Sequence, residues 1–212
     1  MRFLCISDIH GHLTALDAVL AEADQRGWDQ LVVCGDLCFP GPDPLGVWMR
    51  LIEHRAVCTQ GVGDRALARV DPNKLSATTD TERNRIDWLR KTHQRLGEVI
   101  ITRLGRLPTT ARLPVESGHS MMVVHGSPMD PTEPMAVEMD DEEMSSLLGD
   151  DCGDIVICGG SHVPFDRLVG EVRVVNVGSV GEAPGGAHAD ATIIETSPLG
   201  VSVHQFSVVL HG

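Results

Sequence analysis

The feature that most constrains the fold is the start of the chain, where a short apolar segment ends at a carboxylate and an imidazole. Residues 3–6 are apolar and predict a buried strand, and Asp8 and His10 follow them before Gly11. On extended backbone, side chains two residues apart project to the same side, so this pair can offer an oxygen and a nitrogen to one metal ion. Open α/β sheets bind ligands at this end of their strands. From these residues alone, a loop that binds nothing is the alternative interpretation.

The residues that follow predict alternating helices and strands. Apolar side chains recur at helical spacing from 13 to 26, and Gly27 ends that helix. The apolar residues 31–34 return to the sheet, and a right-handed crossover brings Asp36 to the same edge as Asp8. Gly35 allows close approach of another backbone segment. The pattern then predicts a proline-rich loop at 39–44, a short helix at 45–54, a strand at 56–59, a tight turn at 60–65 and a helical segment at 66–69.

The second half of the chain again places strands ahead of polar residues. Residues 72–106 are polar and then helical, and they carry no pattern that indicates chemistry. The apolar residues 121–124 end at His125, and the strand predicted at 154–158 ends at two glycines shortly before His162. Further strands are predicted at 172–175, 191–196 and 201–206. The sequence shows no repeat and no convincing linker, so residues 1–212 are predicted to form one domain.

The charge of the chain limits its partners. It carries 17 basic and 30 acidic residues, a net charge of -13. Nucleic acid is therefore not expected over the general surface, because affinity for a phosphate backbone needs clustered Lys and Arg. Four of the six cysteines (5, 34, 58 and 158) lie in or beside apolar segments and are predicted to be small core residues in a reducing compartment. No leader and no membrane-spanning segment is apparent, which predicts a cytoplasmic protein with no membrane partner.

Five strand ends thus carry residues that can bind a metal, each near glycine: Asp8 with His10, Asp36, Asp64, His125 and His162. Such repetition in one α/β chain indicates convergence on one site. With these motifs the chain resembles the calcineurin-like metallophosphoesterases, through residues 7–11, 34–37, 61–64, 124–128, 159–162 and 176–181. The resemblance implies an α/β fold, a four-layer α/β/β/α sandwich with two mixed sheets and a metal centre at the strand ends.

In that family two metal ions share a bridging carboxylate and activate a water that attacks phosphorus. The resemblance implies that Asp8, His10 and His162 hold the first metal and that Asp36 bridges. At the second metal, Asp36 is joined by His125. The chain departs from the family at two further ligands of the second metal and at the histidine that acts as general acid, whose positions hold Val62, Gly160 and Gly63.

Because valine and glycine offer no ligand atom, the sequence predicts one transition metal ion, iron, zinc or manganese, with a second metal absent or weakly bound. The alternative is that a neighbouring side chain supplies a missing ligand, and the candidates are His12, Cys158, Ser161, His119 and Gln60. His12 is the best of them and can also contact a bound phosphate. The candidate catalytic residues are Asp36, His12 and Asp64.

Two functional hypotheses follow. The first is hydrolysis of a phosphoric mono- or diester through a metal-activated water, acting on a small phosphorylated substrate. This activity is expected to be weakened, since loss of a positioned acid costs roughly 10²- to 10⁴-fold in rate. The second is a non-catalytic metal-binding protein that binds a ligand, such as phosphate, or a protein partner.

Overall fold

The computed structural model describes residues 1–115 and 118–210, and these form five helices and ten strands. The helices are α1 (Leu13–Arg26), α2 (Pro44–Glu53), α3 (Val62–Arg69), α4 (Asp80–Leu104, broken at Gly97) and α5 (Asp141–Leu148). The strands are β1 (Arg2–Ile6), β2 (Gln30–Val33), β3 (Val57–Cys58), β4 (Thr110–Pro114), β5 (Ser120–Val124), β6 (Ile155–Cys158), β7 (Phe165–Val169), β8 (Val172–Asn176), β9 (His188–Ser197) and β10 (Gly200–Val209).

The strands form two mixed sheets of five strands each. The first has the order β10-β9-β1-β2-β3, in which β1 is parallel to β2 and antiparallel to β9. The second has the order β4-β5-β6-β8-β7, with β5, β6 and β8 parallel and both edge strands antiparallel. Parallel neighbours bring their carboxyl ends to one edge of each sheet, which is where the predicted site residues follow.

Alternating side chains on the central strands build the layers. Phe3 and Cys5 of β1 pack between the two sheets against residues such as Met121. Leu4 and Ile6, on the opposite face of β1, pack against the helices on the outside of the first sheet. The outer face of the second sheet is covered by α5. The period of two along a strand therefore produces the predicted four-layer α/β/β/α sandwich.

Several local predictions can be compared with the structure. The helix predicted at 13–26 is confirmed at both ends. The tight turn predicted at 60–65 is wrong, because α3 already begins at Val62. Gly61 is extended ahead of that helix, and the Gly61 amide donates to the carboxylate of Asp64 in the first turn. An acidic residue at this position favours an earlier helix start, since it accepts an otherwise unpaired backbone N–H.

The cysteines behave as core residues. All six are free, and Cys5, Cys34 and Cys158 are fully buried, whereas Cys58 is half-buried. Burial raises the pKa of the Cys158 thiol to about 12, so this group is a neutral thiol at neutral pH. Within the ranges that the structure describes, no helix is long and apolar enough to cross a bilayer.

Candidate metal centre

The side chains at four strand ends meet between the two sheets. Asp8 and His10 follow β1, Asp36 follows β2, His125 follows β5 and His162 follows β6. Backbone hydrogen bonds join the first two loops: the Asp8 amide donates to the Gly35 carbonyl at 3.1 Å, and the His10 amide donates to the Asp36 carbonyl at 2.9 Å. Four of the five strand ends expected to converge therefore do so in the fold, whereas Asp64, from the fifth, is buried in the first turn of α3.

Asp8, His10 and His162 form the first set of potential ligands. The Nε2 atom of His162 lies 3.2 Å from Asp8 Oδ1, and the Nε2 atom of His10 lies 3.7 Å from the same oxygen. The two imidazole rings are edge to face, with centroids 5.4 Å apart. Asp36 Oδ2 lies 3.9 Å from His10 Nε2, beside this set.

Asp8, Asp36 and His125 form the second set. His125 Nε2 lies 3.5 Å from Asp36 Oδ2. Asp8 belongs to both sets, so its carboxylate lies within reach of both metal positions. The family resemblance implied that Asp36 alone bridges these positions. In each set the ligand atoms all lie within 4.8 Å of one another.

Backbone carbonyls orient two of the imidazoles. Nδ1 of His10 contacts the Phe39 carbonyl at 2.5 Å, and Nδ1 of His125 contacts the Cys34 carbonyl at 2.8 Å. A carbonyl can only accept, so each Nδ1 carries the proton and donates it. Nε2 of the neutral ring is left with a free lone pair that faces the centre, as a metal ligand requires.

Backbone amides orient the carboxylates in the same way. The Gly63 amide donates to Asp36 Oδ1 at 2.6 Å, and the Gly160 amide donates to Asp8 Oδ2 at 2.9 Å. Each carboxylate therefore presents its other oxygen to the centre. The glycines that replace family residues thus still contact the site through their backbone.

Two buried atoms at the centre have no hydrogen-bond partner among the described residues: Asp8 Oδ1 and His10 Nε2. Asp8 is fully buried and His10 is 6% exposed. An unpaired buried polar atom typically costs about 1–3 kcal/mol, and more when it is charged. A carboxylate oxygen and an imidazole lone pair that face each other fit a divalent cation, and iron, zinc and manganese all accept such a donor set.

The electrostatics favour a negative Asp8. Burial acts to raise its pKa, but the 3.2 Å contact with His162 Nε2 and the charges of His125 and His162 when these rings are protonated outweigh burial, so the pKa of Asp8 lies below its ordinary value. The same contact raises the pKa of His162. For Asp36, burial exceeds the opposing effect of His125 and His10 and raises the pKa of this carboxyl.

Backbone strain is concentrated at the centre. Five non-glycine residues in the described part of the chain have positive φ, and four of them are Asp8 (53°), His10 (49°), Asp36 (53°) and His162 (62°). Non-glycine residues in this region cost roughly 1–2 kcal/mol each. Gly35 has φ 96° and lies close to Gly61. A Cβ on Gly35 would stand 2.7 Å from the amide nitrogen of Gly61. The close approach expected from the sequence is thus observed.

Two of the three positions that differ from the family lie beside ligands of the second set. Val62 is 45% exposed at the start of α3. Gly160 has φ 73°, and a Cβ there would lie 3.6 Å from His125 Nε2. A Cβ on Gly63 would lie 3.2 Å from Asp36 Oδ1. Gly63 and Gly160 therefore border the second set of ligands, whereas Val62 is exposed at the start of α3.

None of the substitute ligands considered from the sequence reaches either set in the described structure. Gln60 donates to the Leu104 carbonyl at 2.8 Å, and the thiol of Cys158 contacts the Val175 carbonyl at 3.7 Å. Ser161 accepts from Asn176 at 3.0 Å. His119 lines a surface cavity with Asp154 and Arg173, and His12 is half-buried directly before α1.

Two candidate catalytic residues lie beside the ligand sets. Burial lowers the pKa of His12, against the opposing charge of Glu182. Asp64 is fully buried, and its two oxygens accept the amides of Leu37 and Gly61, each at 3.0 Å. Burial, followed by the charge of Asp36, raises the pKa of Asp64 to about 6.

The sequence analysis missed Glu182, whose Oε2 atom lies 3.6 Å from His10 Nε2. The available signal was its position directly after the glycine-rich segment 176–181 that follows β8. Its side chain is 40% exposed and stands at the solvent side of the centre.

Residues 1–198 match the model of the calcineurin-like phosphoesterase superfamily domain. Among solved structures, a hypothetical protein from Pyrococcus horikoshii OT3 is similar, with a TM-score of 0.80 and 18% identity over 99% of this chain and 88% of that one. A metallophosphoesterase from Sphaerobacter thermophilus has a TM-score of 0.74 and 23% identity, covering 98% and 89% of the two chains. Yfce, a phosphoesterase from E. coli, has a TM-score of 0.55 and 22% identity, covering 92% of this chain and 88% of that one. No curated protein matches the sequence.

Proposed function

Since the chain belongs to the calcineurin-like phosphoesterase superfamily, we propose that it hydrolyses a phosphoric mono- or diester with water activated by one metal ion. Asp8, His10 and His162 hold the ion, and Asp36 borders it. The observation that carries this proposal is the pair of buried atoms without partners among the described residues, Asp8 Oδ1 and His10 Nε2, which face one point. When bound, a dication lowers the pKa of water and neutralises phosphate oxygens.

The remaining groups act on binding and orientation. The Phe39 and Cys34 carbonyls keep the Nδ1 atoms of His10 and His125 protonated, which keeps both Nε2 lone pairs available. We propose that His12, half-buried beside the centre, contacts a phosphate oxygen of the substrate. Asp64 acts as a positioning residue, because it holds the start of α3 and hence the Gly63 amide that binds Asp36.

The proposal includes a preference for substrates with good leaving groups. Gly63 stands where the family has a histidine that protonates the leaving group, and glycine has no side chain that could serve as this acid. Without a positioned acid, the expected loss is roughly 10²- to 10⁴-fold for substrates whose leaving group needs a proton. One metal ion, iron, zinc or manganese, is proposed. The cytoplasmic location remains a prediction from the sequence.

The test is a hydrolysis assay over a panel of phosphomonoesters and phosphodiesters, titrated with manganese, zinc and ferrous iron. We expect weak turnover of activated esters that requires metal and is lost in Asp36→Ala. Asp87→Asn is the matched control, since Asp87 is an exposed acidic residue on α4. Turnover that persists in Asp36→Ala would contradict the proposed site.

A non-catalytic binding protein is the second candidate. It is favoured by the three changed positions, Val62, Gly63 and Gly160, of which Gly63 and Gly160 lie beside Asp36 and His125. In this case the metal orders a surface that binds phosphate or a protein partner. Metal binding without turnover of any ester in the panel would support this candidate over hydrolysis.

A further inference from the structure

The loop after β8 fixes Glu182 beside the start of the chain. The amides of Val180 and Gly181 donate to the carbonyls of Ser7 and Asp8, at 3.0 and 2.9 Å. The Ser179 hydroxyl donates to the Asp8 carbonyl at 3.0 Å and accepts the Glu182 amide at 2.8 Å. The backbone of Glu182 is thus tied to the segment that carries Asp8, and its carboxylate is not a freely placed surface group.

The contact between Glu182 and His10 involves no hydrogen bond in the described part of the chain. Nδ1 of His10 donates to the Phe39 carbonyl. Nε2 has no hydrogen-bond partner in the part of the chain that the structure describes, and Glu182 Oε2 lies 3.6 Å away. An imidazole nitrogen and a carboxylate oxygen that face each other at this separation without a hydrogen bond leave room for a metal ion between them.

The separations fit ligands of a single ion. Two atoms about 2.1 Å from one ion, at angles of about 90 to 125°, are separated by about 3.0 to 3.7 Å. His10 Nε2 lies 3.6 Å from Glu182 Oε2 and 3.7 Å from Asp8 Oδ1. His162 Nε2 lies 3.2 Å from that Asp8 oxygen. All three separations fall in the expected range.

We propose that Glu182 is a further ligand of the metal held by Asp8, His10 and His162, and that it binds from the solvent side. This inference rests on the metal site of the proposed function. Asp8, Asp36 and Glu182 together contribute three negative charges, and one divalent ion contributes two positive charges. The site with its metal bound therefore has a net charge of about -1. Glu182 therefore tightens metal binding and opposes the approach of a phosphate anion to the same face.

The test measures manganese binding by calorimetry on the full chain. In Glu182→Gln we expect manganese affinity to fall about 10-fold or more. Removing a group that hydrogen-bonds to a metal ligand already lowers metal affinity by about 10- to 100-fold, and removing a ligand should cost at least as much. At saturating manganese, the affinity for inorganic phosphate should rise in the same variant. Glu171→Gln is the matched control, because Glu171 is exposed in the turn between β7 and β8.

A structural role for Glu182 alone would not produce both changes. Thermal melts without metal check that both variants fold like the unmodified protein. Equal manganese affinity in Glu182→Gln and the unmodified protein would overturn the inference while leaving the metal site intact. Reduced affinity in a protein that hydrolyses no ester would support the inference and contradict the proposed hydrolysis. No binding of manganese, zinc or ferrous iron by the unmodified protein would overturn both.

Discussion

Replacing Asp64 by asparagine tests whether this buried carboxyl is a positioning group with a raised pKa. Burial raises its folded pKa to about 6, from an ordinary value of 3.8. The folded state therefore holds a proton more tightly than the unfolded chain. The resulting stabilisation is fully present below about pH 3.8 and is lost as the pH rises through 6.

The size of the effect follows from these two values. The difference between them, at about 1.4 kcal/mol per pH unit, corresponds to about 3 kcal/mol, of which about 2 kcal/mol is lost between about pH 4.5 and 7.5. The asparagine side chain in Asp64→Asn does not titrate. It also offers one acceptor oxygen to the two amides of Leu37 and Gly61, which costs about 1–3 kcal/mol at every pH.

Urea unfolding in the presence of a chelator measures this difference, with fluorescence of the buried Trp48 as the signal. The free energy of unfolding of the unmodified protein, minus that of Asp64→Asn, should fall by about 2 kcal/mol from about pH 4.5 to 7.5. The control Asp87→Asn should show no such trend. A difference between the proteins that is constant over this range would refute the raised pKa and the reasoning from burial.

Two further predictions concern the centre itself. Manganese at about 100 times its dissociation constant should stabilise the protein by about 2.7 kcal/mol, since only the folded state assembles the site; Asp8→Asn should abolish this shift in thermal melts. Gly160→Ala should destabilise by about 1–2 kcal/mol in urea unfolding, because its φ of 73° disfavours any side chain. Gly170→Ala, with φ 59° and no atom within 4 Å of a Cβ, serves as the comparison, and a negligible cost there would contradict the strain argument.

Much of the architecture was predictable because it depends on local patterns. The apolar residues of β1 and the helical spacing of α1 are readable from adjacent positions, and the period of two assigns each strand side chain to a face. The error at α3 is also local: Asp64 was interpreted as chemistry, whereas its contact with the Gly61 amide also sets where the helix begins. The same residue type serves both purposes, and sequence alone does not separate them.

The sequence by itself determined which residues stand at strand ends, including Asp8 and His162, and which family ligands are replaced. Only the tertiary structure decided how these ends meet. The loop that carries Glu182 comes beside Asp8 through hydrogen bonds between residues 171 to 173 positions apart, and the Phe39 carbonyl sets the proton on His10. Neither contact has a periodic signal in the sequence. Hydrogen bonds between distant backbone groups depend on the packing of whole layers, so the partner atoms are defined only once the two sheets are in place.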